Sequence, residues 1–134
     1  MLEAADRDDA VALWHRTGLT RRWNPPADDF DRALGGGSST VLGGFADGRL
    51  AATAMVGHDG HRGWVYYLAV DPDRRSTGLG RAMMRAAEEW VRSAGIPKIQ
   101  LMVRSTNPSA LAFYEAIGFT AEDTTVLSRR LDGS

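Results

Sequence analysis

Val70-Asp71-Pro72-Asp73-Arg74-Arg75-Ser76-Thr77-Gly78-Leu79-Gly80-Arg81 joins two segments of opposite character, and its reading decides the fold. Before it, Trp64-Val65-Tyr66-Tyr67-Leu68-Ala69-Val70 runs without a charge, as a strand covered on both faces does, and Pro72 ends that run. After it, Leu79, Met83, Ala86, Ala87, Trp90, Val91 and Ala94 recur three and four apart, with Arg81, Arg85, Glu88, Glu89 and Arg92 opposite. This period predicts a helix from Gly78, closed by Gly95 and Pro97. A strand-to-helix turn of small residues gathers backbone N–H groups at the positive end of the helix dipole, which suits phosphate. An isolated Gly78-x-Gly80 equally serves a tight turn with close packing. Rival phosphate motifs fit poorly: a dinucleotide fingerprint wants a third glycine where Met83 stands, and a P-loop wants Gly-Lys-Ser/Thr.

Working outward, Val41 to Ala46 and Leu50 to Gly57 flank Asp47-Gly48, a dipeptide suited to the positive φ angles of a two-residue hairpin turn. Asp8 to Thr17 and Asp28 to Leu34 read as two short amphipathic helices, the second ending at Gly35-Gly36-Gly37. His58 to Gly63 is a polar turn feeding the central strand. Downstream, Lys98 to Val103 alternates as a strand, Asn107-Pro108 starts a helix through Ile117 that ends at Gly118, and Phe119 to Leu131 is expected to hold one or two final strands. Helices, antiparallel hairpins and then a β-α-β-α-β half call for a mixed α/β sheet with helices on both faces. Only Leu2-Glu3-Ala4 precedes the first helix, so the first strand is abbreviated and leaves an edge that a second copy, as a homodimer, is expected to cover.

The 134 residues match one domain, here 1–134, able to bury roughly two thirds of its unfolded surface. Net charge of -1 gives no one-sided field, so nucleic acid and anionic membrane are poor partners. Absence of cysteine excludes disulfides, thiolate metal sites and a cysteine nucleophile. No signal-like or membrane-spanning apolar run is present, and the cytoplasm is the default location.

Read as Arg75-x-x-Gly78-x-Gly80 after Leu68-Ala69-Val70, the deciding segment resembles the pyrophosphate signature of the GNAT superfamily of N-acetyltransferases, Gln/Arg-x-x-Gly-x-Gly/Ala. Asn107-Pro108-Ser109-Ala110-Leu111-Ala112-Phe113-Tyr114-Glu115-Ala116-Ile117-Gly118-Phe119 resembles that family's later segment, with its Asn, Ala, Phe/Leu-Tyr pair and closing Gly-Phe. The resemblance implies a GNAT fold with splayed middle strands and acetyl-CoA as co-substrate. It implies that backbone groups of Leu68, Ala69 and Val70 bind the pantetheine arm and polarise the thioester. By the same resemblance Arg75, Ser76, Thr77, Gly78, Leu79, Gly80 and Arg81 hold the pyrophosphate, Asn107 contacts the cofactor, and Tyr114 protonates the departing thiolate. Asn107 and Tyr114 are two helical turns apart, so both can face one groove. Their plain structural alternatives are an N-cap before Pro108 and a core tyrosine.

On the acceptor side the residues leave the general base open among Tyr66, Tyr67, Asp59, His58 and His61; Tyr66 is our candidate. Some ribosomal-protein and N-terminal acetyltransferases of this superfamily carry Glu in a Leu-Glu-Val-Arg strand, where this chain reads Leu101-Met102-Val103-Arg104. Methionine is no base, which sets that acceptor class in doubt. Trp23, Asn24, His61 and Tyr67 are candidate acceptor-binding residues. The paired histidines of His58-Asp59-Gly60-His61 lack the further ligands of a metal site, and Asp59-Gly60 makes a good turn, so no metal is expected. Asp28, Asp29 and Asp31 either attract a cationic acceptor or form a solvated helix face. The expected function is acetyl transfer to a primary amine of a small molecule or peptide; the alternative is a non-catalytic acyl-CoA-binding module of the same fold.

Overall fold

The computed structural model describes residues 1–133. They form two compact units, one running from Met1 to Met102 and the other starting at Val103.

The first unit is built on a four-stranded sheet in the order β1-β2-β3-β4, with β1 Ser39–Ala46, β2 Arg49–His58, β3 Gly63–Val70 and β4 Ile99–Leu101. β1, β2 and β3 pair antiparallel, while β4 joins β3 in parallel after the crossover helix α3, Leu79–Ser93. Asp47 and Gly48, with φ of 53° and 76°, turn the first hairpin as their sequence predicts. Two further helices, α1 Arg7–Arg16 and α2 Pro26–Gly35, precede the sheet. Pro26 opens α2 at the one turn of a helix where a missing N–H costs nothing.

Helices cover both faces. A β-carbon on Gly43 would meet Leu2 and Leu50, whereas one on its neighbour Gly44 would meet Met83 and Leu79, so α3 lies on the face opposite to Leu2. On the Leu2 face, Ala10, Leu13 and Trp14 of α1 and Phe30 and Ala33 of α2 close over Val41 and Ala69. Trp14 and Phe30 are fully buried with ring centroids 6.1 Å apart. Met83, Met84, Ala87 and Val91 are the buried stripe of α3. Their spacing of three and four residues is the period read from the sequence.

The second unit contains α4, Pro108–Ala116, which Asn107 caps by accepting the Ala110 N–H at 3.1 Å. Gly118 leaves the helix at φ 105°, and the Phe119 N–H returns to the Tyr114 carbonyl.

Two strand expectations need correction. Lys98 to Val103 pairs only over Ile99–Leu101. From Phe119 to Leu131 no strand forms among the described residues, and Val126, Leu127 and Leu131 are exposed. From Thr120 to Leu131 the only sizeable apolar side chains are those three, and adjacent Val126 and Leu127 would point to opposite faces of a strand. Such a pattern presents no single face to bury. At the other end of the chain, Leu2 donates one backbone hydrogen bond to Val41, and a short 3-10 turn, Ala4–Asp6, follows. Among the described residues no helix is long and apolar enough to cross a membrane.

Candidate functional site

The turn from β3 into α3 is assembled from local capping. Asp71 accepts the Asp73 N–H at 3.0 Å and starts the 3-10 turn Pro72–Arg74. Thr77 donates its hydroxyl to the Arg74 carbonyl, and Arg74 pairs with Asp47 of the first hairpin turn. Ser76 (φ 64°) and Gly78 (φ 84°) both take left-handed backbone, so that α3 begins at Leu79. A β-carbon on Gly78 would meet nothing within 4 Å, so glycine serves its backbone angle here and not close packing. No acidic side chain occupies the first turn of α3, and no side chain caps it. Its leading N–H groups and positive dipole end therefore stay available to an anion. Among the described residues Arg75 and Arg81 make no ion pair, so neither cation is neutralised beside this turn.

β3 carries an irregularity that the sequence does not announce. Met55 faces Tyr66 and Thr53 faces Ala69, so Ala54 alone stands opposite Tyr67 and Leu68. This is a β-bulge, with Tyr67 in left-handed backbone at φ 51°. For a bulky side chain that conformation costs on the order of 1–3 kcal/mol and persists where surrounding contacts enforce it. Three such contacts reach Tyr67, and a fourth hydrogen bond braces one of them. The Tyr67 ring stacks on Trp14 with centroids 3.9 Å apart and planes 15° from parallel. Its hydroxyl donates to Asp29 of α2 at 2.7 Å. Its carbonyl accepts the Thr53 hydroxyl at 2.9 Å, and that same hydroxyl accepts the Trp14 indole N–H at 2.8 Å. Thr53 is wholly buried. Burial, then the hydrogen bond and charge of Asp29, hold the Tyr67 phenol well above its ordinary 10.0.

Beyond the bulge, the Asp71 N–H bonds the Ala51 carbonyl, and Val70 faces Ala52 and Ala69 faces Thr53. Antiparallel bonding alternates, so Ala69 bonds β2 while Leu68 and Val70 turn their N–H and C=O groups the other way. On that side β4 pairs only with Gly63, Trp64 and Val65, and ends at Leu101. Among the described residues, the β3 edge from Tyr66 to Val70 thus has no strand beside it. A ligand laid along it meets backbone donors and acceptors that run toward the α3 N-terminus.

The candidate bases sort themselves by environment. Asp59 accepts the N–H groups of His61 and Arg62 and the Trp64 indole, and those backbone hydrogen bonds pull its carboxyl down to about 2. It is a turn cap and a feeble base. His58 accepts the Gly60 N–H on Nδ1 and lies 6.0 Å from Trp90, ring to ring. His61 is exposed at the tip of this turn, at the Gly63 end of β3. Tyr66 is half exposed beside the bulge, and burial followed by the Asp59 charge raises its phenol. Trp23, also half exposed, and Asn24 lie in the connection from α1 to α2, where the Asn24 N–H closes a turn on the Arg21 carbonyl. Among the described residues no three His, Asp or Glu side chains gather as a metal site would require.

In the second unit, Asn107 uses its side-chain oxygen as the N-cap and also accepts the Ser109 hydroxyl at 3.1 Å. Its amide nitrogen keeps two donors. Tyr114 sits edge-on to Phe113 and Phe119, with centroids 5.1 and 5.8 Å away, and burial pushes its phenol up to about 12.

The structure therefore brings together on β3 and the following turn the residues from Tyr66 to Val70 and from Arg75 to Arg81. Trp23, Asn24 and His61 lie on two loops, and Asn107 and Tyr114 lie on α4. Sequence reasoning missed Thr53 and Trp14 as partners of Tyr67; Asp29, taken there as an acceptor lure or a solvated residue, anchors the Tyr67 hydroxyl.

Comparison with known proteins shows the family. The profile of the acetyltransferase (GNAT) family matches residues 5–119. An acetyltransferase of Yersinia enterocolitica is 34% identical over 98% of this chain and 93% of its own length. Among solved structures, the ribosomal-protein-S18-alanine N-acetyltransferase of Escherichia coli superimposes with a TM-score of 0.76 at 28% identity, covering 89% of this chain and 74% of that one. An aminoglycoside N-acetyltransferase in complex with CoA gives 0.83 at 14% identity, covering 97% and 91%, a likeness of fold alone.

Proposed function

We propose, for a chain that belongs to the acetyltransferase (GNAT) family, that it moves the acetyl group of acetyl-CoA directly to a primary amine of a small molecule or peptide within a ternary complex. The observation that carries this reading is the unpaired edge of β3 from Tyr66 to Val70, leading into a helix N-terminus without an acidic residue. Backbone groups of Leu68 and Val70 take the pantetheine arm, while Ala69, expected to join them, is committed to β2, and the Leu68 N–H hydrogen bonds the thioester oxygen. Arg75, Ser76, Thr77, Gly78, Leu79, Gly80 and Arg81 hold the pyrophosphate, whose charge suits the first turn of α3. The free amide donors of Asn107 add a further bond to the cofactor.

The amine nitrogen attacks the thioester carbon, a C–N bond forms, and the C–S bond breaks. Sulfur leaves as a thiolate and takes the proton of Tyr114, and the phenolate then regains a proton from water, matching the one the amine gives up. A phenol pushed up to about 12 is fully protonated at neutral pH, so the donor is always loaded, and its closeness to sulfur must compensate for its weak acidity. Tyr66 is likewise a phenol at neutral pH. It accepts the amine's hydrogen bond through its oxygen while the surplus proton passes to water, a route that suits an α-amino group, with a pKa near 8, better than a lysine. Trp23, Asn24 and His61 bound the acceptor side, and Tyr67 supports the strand behind it.

A thiol-release assay against α-amino peptides, polyamines, aminoglycosides and amino acids tests this reading. Turnover on at least one amine that drops about 100-fold in kcat in Tyr114→Phe supports it. Cofactor binding with no turnover on any of these classes would transfer support to the non-catalytic module, a reading favoured by the half-exposed Met102, which stands where some relatives carry Glu.

A further inference from the structure

We propose that Thr53 is a positioning residue for acetyl transfer: hydrogen bonded between the Trp14 indole and the Tyr67 carbonyl, it holds the left-handed bulge that turns the Leu68 N–H toward the thioester. The inference rests on the functional reading above and concerns one question, what fixes the direction of that N–H.

Register supplies the argument. Val65 faces Val56 and Tyr66 faces Met55 before the bulge; Ala69 faces Thr53 after it. Were the first register to continue, Tyr67 would face Ala54 and Leu68 would face Thr53. The alternation of antiparallel bonds would then direct Leu68 into β2 and leave Tyr67 and Ala69 on the open edge. One extra residue at the bulge reverses this and presents Leu68 and Val70 instead. Everything presented to the ligand edge therefore depends on Tyr67 keeping a φ of 51°, which its own side chain disfavours. Glycine would hold that angle unaided; a tyrosine must be held.

The hold is the chain Trp14 Nε1–H to Thr53 Oγ1 (2.8 Å) and Thr53 Oγ1–H to the Tyr67 carbonyl (2.9 Å). Thr53 is one of only two buried polar residues in the described core, and both hydrogen-bonding directions of its hydroxyl are used. Valine has the same shape and neither capacity, so Thr53→Val leaves the Tyr67 carbonyl and the indole N–H without their partner. Serine restores the hydroxyl. Thr53 lies behind the bulge and reaches the reacting atoms only through it, which makes its effect one of aim and not of contact.

The test uses the full-length protein with acetyl-CoA and CoA as probes, so it needs no knowledge of the acceptor. Calorimetry measures each affinity, and 15N NMR follows the Leu68 amide. The wild type is expected to favour acetyl-CoA over CoA, with a Leu68 shift that only the thioester produces. Thr53→Val is expected to abolish the preference and that shift while changing CoA affinity less than threefold, and Thr53→Ser to restore both. With an accepted amine, kcat falls roughly tenfold to 100-fold, less than the roughly 100- to 1,000-fold of outright loss of an oxyanion donor because the Leu68 N–H is misdirected and not removed, and KM for acetyl-CoA stays within threefold. If the valine variant does not fold, Trp14→Phe removes the indole donor together with part of the ring stacked on Tyr67, and is expected to reduce the preference at least threefold. A preference unchanged in the folded variant, or CoA affinity lost in parallel with it, overturns the proposal. A wild type that binds neither probe refutes the functional reading itself, and the proposal with it.

Discussion

Gly63 begins β3 directly beneath α3, and Gly63→Ala measures how tightly the sheet and its crossover helix are set. A β-carbon there would lie 2.6 Å from both Cγ atoms of Val91 and 3.2 Å from its Cβ. Carbons pack at roughly 3.5–4.0 Å, so the helix must withdraw by about 1 Å or Val91 must leave its rotamer. Val91 is 2% exposed and β-branched, and has no open space to enter. Overpacking of this kind costs about 1–3 kcal/mol, from which alanine recovers about 0.5–1 kcal/mol of glycine's entropy cost in a strand. The net loss of about 0–2.5 kcal/mol, about 1 kcal/mol at mid-range, corresponds to a Tm drop of roughly 3–5 °C at that mid-range in a domain of this size. Val91→Ala removes both clashing Cγ atoms and leaves the 3.2 Å contact, so the double variant should be about 1 kcal/mol more stable than the two single losses combined. Calorimetric melting of all four proteins gives the cycle. An unchanged or higher Tm in Gly63→Ala, or losses that add within about 0.3 kcal/mol, would refute the packing argument.

Alkaline stability probes the Tyr67 anchor. A phenol whose folded pKa is raised stabilises the protein fully below its ordinary value of 10.0, and that contribution is lost as pH climbs above it, because the unfolded chain releases the proton first. The urea midpoint of the wild type should fall between pH 9 and about 11, and Tyr67→Phe should start lower and fall less, so that the gap narrows; a gap that holds or widens contradicts the anchor. Tyr114, at about 12, adds a slope of the same sign that both proteins share. For the same reason the rate of acetyl transfer should show no titration of Tyr114 between pH 6 and about 9, and an apparent pKa in that window that vanishes in Tyr114→Phe would show the phenol to be far more acidic than its burial implies.

How much of this was legible in the sequence depended on the range of the interactions. The turn from Val70 to Arg81 and helix α3 were readable because their determinants, Pro72, Gly78 and the stripe ending at Val91, act within a few residues of one another. Asp47-Gly48 fixed its hairpin for the same reason. β3 was readable as a strand from its uncharged run, but its bulge was hidden: a left-handed tyrosine has no sequence mark, and the contacts enforcing it reach across 39 positions from Trp14 to Thr53 and 38 from Asp29 to Tyr67. Phe119 to Leu131, expected to hold one or two strands, forms none among the described residues: its apolar residues are few, and adjacent Val126 and Leu127 cannot share a strand face. Asn107 shows the limit of motif reading, since its side-chain oxygen is already committed to capping α4 and only its amide donors are left for a ligand.

The measurement that bears most directly on the central claim is calorimetric titration of the purified protein with acetyl-CoA, with CoA and ADP alongside. One site per chain is expected to take the thioester in preference to ADP, weakened by Gly78→Ala because alanine resists the φ of 84° on which the pyrophosphate turn is built. Absence of binding, or binding of ADP as tight as that of acetyl-CoA, would contradict the assignment of the β3 edge and the α3 N-terminus as one cofactor site.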